Sequence, residues 1–331
     1  MRRSRLSHAL ADGAVSLPDA GDIAVIGAPA GADLSDLPKA RVRLVQGARP
    51  DHDAWAAQGF DVSPALPESA GAAVVFVPRA KDLARARVAQ AVVLTGGGPV
   101  IVNGQKTDGV DSLFKALRAR GTVSAAVAQE HGKCFAFSAT PEALADWLPV
   151  RRTVAGGFVT APGVFSADGP DRASALLADS VGRLSGRVAD LGAGWGYLAA
   201  RVLEAQPAIT ALDLVEADFD ALSCARDNVK DPRAAFHWAD VSRFDGLGCN
   251  AVLTNPPFHA GRAADPSLGV AFLRTAARLL VPSGQLWLVA NRHLPYERDL
   301  AAQFQTVSEE GGDSGFKVLL AQRPKTVRRG R

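Results

Sequence analysis

The chain has 331 residues, 47% of them hydrophobic and 21% charged, with a formal net charge of +3, enough apolar material for two ordinary domains. No apolar run reaches the roughly 20 residues of a membrane-spanning helix, and the basic start is followed by Asp12, Pro18, Asp19 and Asp22 rather than by an apolar signal core. Cys134, Cys224 and Cys249 are odd in number and widely spaced, which argues against a disulfide framework or a zinc site and suits a reducing cytoplasm. So small a net charge does not establish a nucleic-acid partner. Basic clusters at Arg2, Arg3 and Arg5, at Arg79, Lys81, Arg85 and Arg87, and at Arg328, Arg329 and Arg331 can meet phosphates or simply form solvated faces and tails.

In chain order, short Val/Ile-rich runs at Ile23–Gly27, Arg41–Gln46, Ala72–Val77 and Val100–Val102 read as buried strands. Lys81–Leu94 and Val110–Arg120 have helical spacing, with Leu83, Val88, Val92 and then Leu113, Leu117 as apolar stripes. Thr153–Asp168, containing Pro162-Gly163, is poor in helix signals and reads as a connection between halves. Beyond it, strands are expected at Arg187–Leu191, Ile209–Val215, Ala235–Trp238, Ala251–Thr254 and Gln285–Val289. Helices are expected at Ala173–Val181, Gly196–Ala205, Phe219–Val229 and Leu268–Leu280, and Pro282-Ser283-Gly284 reads as a turn. Strand–helix alternation predicts a mostly parallel sheet covered on both faces.

Asp190-Leu191-Gly192-Ala193-Gly194-Trp195-Gly196 joins a strand to a helix. Glycines there let the backbone turn sharply and meet a ligand closely, or simply make a tight turn. The Gly-x-Gly-x-Gly spacing departs from the dinucleotide pattern Gly-x-Gly-x-x-Gly. Asp190 at the strand end suits a ligand carrying a sulfonium and an ammonium, which favours S-adenosylmethionine over a nicotinamide dinucleotide. Glu216, with Ala217 beside it, stands at the tip of the next strand, where a carboxylate can accept both ribose hydroxyls. Asp240 can accept from an adenine amino group while Val241 offers a backbone N–H. Asp213, within the strand, and Asp218, at the start of the following helix, compete with Glu216 for the ribose, and for Asp240, as for Asp218, a helix-capping role is the alternative.

Thr254-Asn255-Pro256-Pro257-Phe258-His259 carries the strongest signal. Two prolines end a central strand and project an irregular loop at the sheet's carboxyl edge, where ligands bind. An amine conjugated to a heteroaromatic ring is a poor nucleophile because its lone pair is delocalised. Asn255 Oδ1 and the Pro256 carbonyl, the latter held rigid by Pro257, can accept its two hydrogens and stabilise developing positive charge. Phe258 can stack on a flat base. No general base need act first. His259 can touch substrate or take the late proton, or serve as a structural histidine.

These motifs resemble class I S-adenosylmethionine-dependent methyltransferases, and more narrowly the bacterial rRNA guanine-N2 methyltransferases, the small-subunit (16S) group above all. Pro162-Gly163-Val164-Phe165-Ser166, Asp168–Ser174, Val289–Tyr296 and Phe316-Lys317-Val318 are similar to further family segments, as are Val77–Lys81, Val102-Asn103-Gly104 and Asp108–Ser112 in the first half. The resemblance implies an α/β protein of two tandem Rossmann-like methyltransferase domains with mostly parallel seven-stranded sheets. Residues 1–152 would be a degenerate copy that grips RNA, with Arg79, Lys81, Arg85 and Arg87 among its contacts, and 153–331 the catalytic domain.

The resemblance also implies that the Phe165 segment lies over the cofactor and that S-adenosylhomocysteine is the product. The expected partner is ribosomal RNA or the small ribosomal subunit, met by a cytoplasmic monomer. The family usually has Gly at Ala173, Cys at Ala193 and Phe-Asp at Cys249-Asn250. Methylation of 23S rRNA at guanine N2, of adenine N6, or a catalytically inactive rRNA-binding assembly factor are the competing readings.

Overall fold

The computed structural model describes residues 4–246, 248–257, 259–260, 263–264 and 266–325. The chain divides into two compact units, Met1–Arg151 with Ala161–Gly163, and Arg152–Thr160 with Val164–Arg331. Both are α/β.

The first unit holds strands β1 (Ile23–Ile26), β2 (Val42–Val45), β3 (Asp61–Ser63), β4 (Ala72–Phe76), β5 (Val100–Gln105), β6 (Thr122–Val123), β7 (Val127–Gln129) and β8 (Gly132–Ser138). They form one sheet in the order β3-β2-β1-β4-β5-β8-β6, with β7 pairing β8 off that path. The sheet therefore has an eighth strand beyond the seven expected. β1 to β5 pair in parallel, and β8 runs antiparallel to β5. β1, β2, β4 and β5 are buried on both faces, as expected of Val/Ile-rich parallel strands under helices. Val88, Val92, Leu113 and Leu117 enter that core from the helices Lys81–Leu94 and Val110–Arg118, each such side chain contributing roughly 2 kcal/mol by burial.

The second unit opens with a short hairpin, β9 (Arg152–Thr153) against β10 (Val159–Thr160), at the start of the stretch whose sequence reads as a connection between halves. Its main sheet contains β11 (Gly186–Leu191), β12 (Ile209–Glu216), β13 (Ala234–Trp238), β14 (Cys249–Thr254), then, after the small pair β15 (His259–Ala260) and β16 (Ala263–Ala264), β17 (Leu280–Asn291), β18 (Phe304–Gly312) and β19 (Phe316–Pro324). The order is β13-β12-β11-β14-β17-β19-β18, with β19 antiparallel to both neighbours. Along β17, Leu286, Leu288 and Ala290 enter one core and Trp287 and Val289 the other, as the two-residue period of a strand requires. Pro282-Ser283-Gly284 does not make the expected turn between helix and strand. Leu280 pairs with Cys249 and Gln285 with Ala251, so the three residues form a bulge within β17, where Pro costs no ladder bond.

Strand order reverses at β11, between β12 on one side and β14 on the other. A crevice opens at such a switch point beyond the carboxyl ends of the strands. The segments after β11, β12 and β14 are the ones marked in the sequence for cofactor and substrate.

Candidate active site

The loop after β11 places Gly192, Gly194 and Gly196 at φ +76°, +55° and +86°, a region that L side chains avoid. Gly196 is needed for packing as well, because a Cβ there would stand 2.9 Å from Val229 Cγ2 and 3.2 Å from Ala225. Gly194 faces open space, with nothing within 4 Å of where its Cβ would lie. The loop is pinned from behind: Trp195 Nε1 donates to the Phe165 carbonyl at 2.9 Å, and Asn228 Nδ2 donates to the Trp195 carbonyl at 2.8 Å. Thr254 Oγ1, fully buried, donates to the Leu191 carbonyl at 2.8 Å and ties the end of β14 to that of β11.

An open pocket lies on this loop, lined by Phe165, Asp190, Gly192, Ala193, Gly194 and Asn255 among the residues expected there. Ser166, Asp171, Ser174, Trp195, Tyr197 and Leu198 complete the lining. Phe165 is 61% exposed at the rim. Asp190 is buried, and its Oδ2 finds no hydrogen-bond partner among the described residues. Burial pushes its carboxyl up to about 7, with the Glu216 charge adding to the shift. An orphaned carboxylate oxygen in a pocket is a receptor for a cation or an N–H donor. Together with the open face of Gly194, it fits a ligand carrying sulfonium and ammonium groups.

Glu216 does not line this pocket, but it holds the loop. Its Oε2 accepts the Gly194 N–H at 2.7 Å and its Oε1 the Asp218 N–H at 2.8 Å. Burial pushes its carboxyl up to about 6 against the downward pull of those N–H groups. A carboxylate has about four acceptor sites, so these bonds do not exhaust it. Ala217 accepts from Trp238 Nε1 through its carbonyl at 2.9 Å. Asp240 caps the short turn Val241–Arg243, its Oδ1 accepting from the Ser242 N–H and hydroxyl at 2.8 Å each. Val241 is buried beneath it.

Asn255 and Pro257 are half-buried and Pro256 buried. Asn255 Nδ2 donates to Asp171 Oδ2 and to Ser174 Oγ, both at 3.0 Å. Asp171 is also the N-cap of the helix Arg172–Ser180, accepting the Ser174 N–H at 2.9 Å and the Ser174 hydroxyl at 3.2 Å. In the sequence Asp171 and Ser174 stand out only as members of a segment similar to the family's. Their contact with Asn255 spans more than eighty residues and has no local signature. Phe258 lies outside the described residues, and of His259 only the backbone pairing with Ala264 is described.

The first unit carries a separate cleft of about 330 Å³, lined by Arg79, Lys81, Arg85, Asp108 and Ser112 among others. It sits after β4, the strand whose place in its sheet matches that of β14. Val77-Pro78-Arg79 thus follows β4 as Asn255-Pro256-Pro257 follows β14. Arg79 and Lys81 are exposed, and the Arg85 guanidinium lies 5.2 Å over the Trp147 ring. Arg87, grouped with them in sequence, is structural: it donates to the Phe76 carbonyl at 3.2 Å, and its guanidinium covers Gly27.

Residues 155–320 match the family model of the methyltransferase small domain. Ribosomal RNA small subunit methyltransferase C of Shewanella amazonensis is 31% identical over 260 residues, 74% of this chain and 75% of its own length. The protein of the same name from Hahella chejuensis is 32% identical over 268 residues, 75% of this chain and 76% of its own length. A T. thermophilus 16S rRNA N2 methyltransferase, solved with AdoMet and guanosine, superposes with a TM-score of 0.75 at 24% identity. That match spans 93% of this chain and 90% of that one, and it supports the two-unit fold. The chain belongs to the ribosomal RNA small subunit methyltransferase C family.

Proposed function

We infer that this chain transfers a methyl group from S-adenosylmethionine to the exocyclic N2 of a guanine in 16S rRNA. The observation that carries the chemistry is Asn255, whose amide nitrogen is engaged by Asp171 and Ser174 beside a pocket holding the orphaned Asp190 oxygen. The family relatives, named for the ribosomal small subunit, supply the substrate.

When bound, S-adenosylmethionine supplies a methyl group on a sulfonium that keeps its bonding pair as the N–C bond forms. Asp190 and the glycine loop receive the cationic end of the cofactor, and Glu216 the ribose hydroxyls. Asn255 Oδ1 and the Pro256 carbonyl accept the two N2 hydrogens, which draws the nitrogen towards a pyramidal geometry and frees its lone pair. Preorganised acceptors of this kind are worth factors of about 10² to 10³ in rate. The extra proton leaves after transfer.

In the first unit, Arg87 occupies the face of Gly27, which follows β1 as Gly192 follows β11, and Val25 stands where β11 has Asp190. Both features support reading the first unit as a degenerate copy without a cofactor, with the Arg79–Lys81 cleft contacting rRNA phosphates. A protein with its own substrate-gripping unit can act as a monomer, and its substrate places it in the cytoplasm. Among the described residues no helix is long and apolar enough to cross a membrane.

The test supplies labelled S-adenosylmethionine with small ribosomal subunits and with naked rRNA, then identifies the modified nucleoside. N2-methylguanosine in 16S rRNA is expected. N6-methyladenosine, or label only in 23S rRNA, would overturn the substrate, and binding without any transfer would favour the assembly-factor reading.

A further inference from the structure

An asparagine can present either its carbonyl or its NH₂ to a ligand, and only the carbonyl can accept an amine's hydrogen. Rotating the Asn255 amide by half a turn would set donor against donor and abolish the clamp. The surroundings of Asn255 forbid that rotation. The Asp171 carboxylate can only accept. Ser174 directs its single hydroxyl hydrogen to Asp171 Oδ2 at 3.2 Å, so it too meets Asn255 as an acceptor. Both Nδ2 hydrogens are thereby used, at 3.0 Å each, and a flipped amide would put Oδ1 against a carboxylate. Among the described residues no donor reaches Oδ1.

We propose that Asp171 and Ser174 are positioning residues for methyl transfer: they lock the Asn255 amide with Oδ1 towards the target amine, and the Asp171 charge polarises it. The proposal rests on the reading of Asn255 as an amine acceptor given above. A carboxylate hydrogen-bonded to the NH₂ end shifts electron density towards the amide oxygen, and hydrogen bonds in series strengthen one another in a low-dielectric site. Positive charge grows on the amine as the N–C bond forms, so this polarisation favours the transition state over the bound substrate. Asp171 also caps the helix Arg172–Ser180 through the same oxygen. The start of that helix and the orientation of the amide are therefore set by one atom.

The experiment measures single-turnover transfer to small subunits, the KM for subunits, the Kd for S-adenosylmethionine and the Tm. The variants are Ser174→Ala, Ser174→Thr, Asp171→Asn and Asn255→Ala, with the doubles Ser174→Ala/Asn255→Ala and Asp171→Asn/Asn255→Ala. Ser174→Ala is expected to lower the transfer rate about tenfold and Asp171→Asn about a hundredfold, with both binding constants within about twofold. Ser174→Thr, which keeps the hydroxyl, should restore the rate. Asp171→Asn keeps an acceptor for the cap, so its fold is retained; if it does not fold, the Ser174 pair decides. In the Asn255→Ala background neither substitution should lower the rate further, because each acts through Asn255. Multiplying effects in the doubles, an unchanged rate in Ser174→Ala, or a loss confined to cofactor affinity would overturn the proposal. Where Asn255→Ala turnover falls below detection, the Ser174→Ala and Ser174→Thr rates settle it. The wild-type product nucleoside is identified in the same reactions, so a wrong substrate shows as a different nucleoside while the rate comparison stands.

Discussion

The carboxylate of Glu216 accepts the backbone N–H of Gly194 at 2.7 Å, so the acidic tip of one strand fixes the ligand-facing glycine of its neighbour. Glu216→Gln leaves one carbonyl oxygen to satisfy two backbone donors and removes a charge. The S-adenosylmethionine Kd should rise tenfold to a hundredfold, the equivalent of about 1.5–3 kcal/mol, with rRNA affinity unchanged. Titration calorimetry with each ligand checks both halves.

Asp190 gives the site a pH dependence. Its carboxyl, ordinarily near 3.8, is pushed up to about 7, and a cationic ligand needs it ionised. Cofactor affinity should weaken as pH falls below about 7, by up to roughly tenfold per unit, with Glu216 adding to the loss below its own value of about 6. Stability runs the other way. Between 3.8 and 7 the folded chain holds a proton that the unfolded chain has released, so rising pH through this window destabilises the ligand-free fold. Asp190→Asn should therefore raise the ligand-free Tm above wild type at pH 8, with the gap narrowing by pH 5, while abolishing measurable cofactor binding.

Two glycines of one loop should separate stability from binding. Gly196→Ala combines a positive φ with a 2.9 Å approach to Val229 and is expected to cost about 2–3 kcal/mol of stability. Gly194→Ala meets no atom and costs only about 1 kcal/mol for its backbone conformation, but its methyl enters the pocket. Urea melts should rank Gly196→Ala as the less stable, and cofactor titration should rank Gly194→Ala as the weaker binder.

Arg79→Glu with Lys81→Glu should weaken binding to 16S rRNA and leave cofactor affinity untouched. If each cation meets one phosphate, the slope of log affinity against log salt falls by roughly 1.5 in magnitude. An unchanged slope would remove the phosphate-binding role of the cleft.

Much of this was legible in the sequence because its signals are local. Buried parallel strands advertise themselves as Val/Ile runs, and the glycine spacing after Asp190 and the Asn255–Pro257 loop are contiguous. β18 carries no strand signal because it is largely exposed and lacks an apolar run, whereas β19 does carry one in Val318-Leu319-Leu320-Ala321, overlapping the segment of family likeness at Phe316-Lys317-Val318. The bulge at Pro282–Gly284 looked like a turn because the same residue types suit both. Asp171, Ser174 and Asn228 reach the site through contacts made only in the fold. Asp240 was open to two readings, and its capping bonds are the ones the structure displays.

The guanidinium of Arg87 leaves no room over Gly27. Opening a ligand pocket over Gly27 would require both removing Arg87 and installing an acid at the fully buried Val25. Removing Arg87 alone opens a void and strips the Phe76 carbonyl of its donor, and an acid alone would be an unpaired buried charge. Each single step is harmful without the other. Only the paired change avoids both penalties, so no single substitution leads the first unit towards a pocket like the one around Gly192.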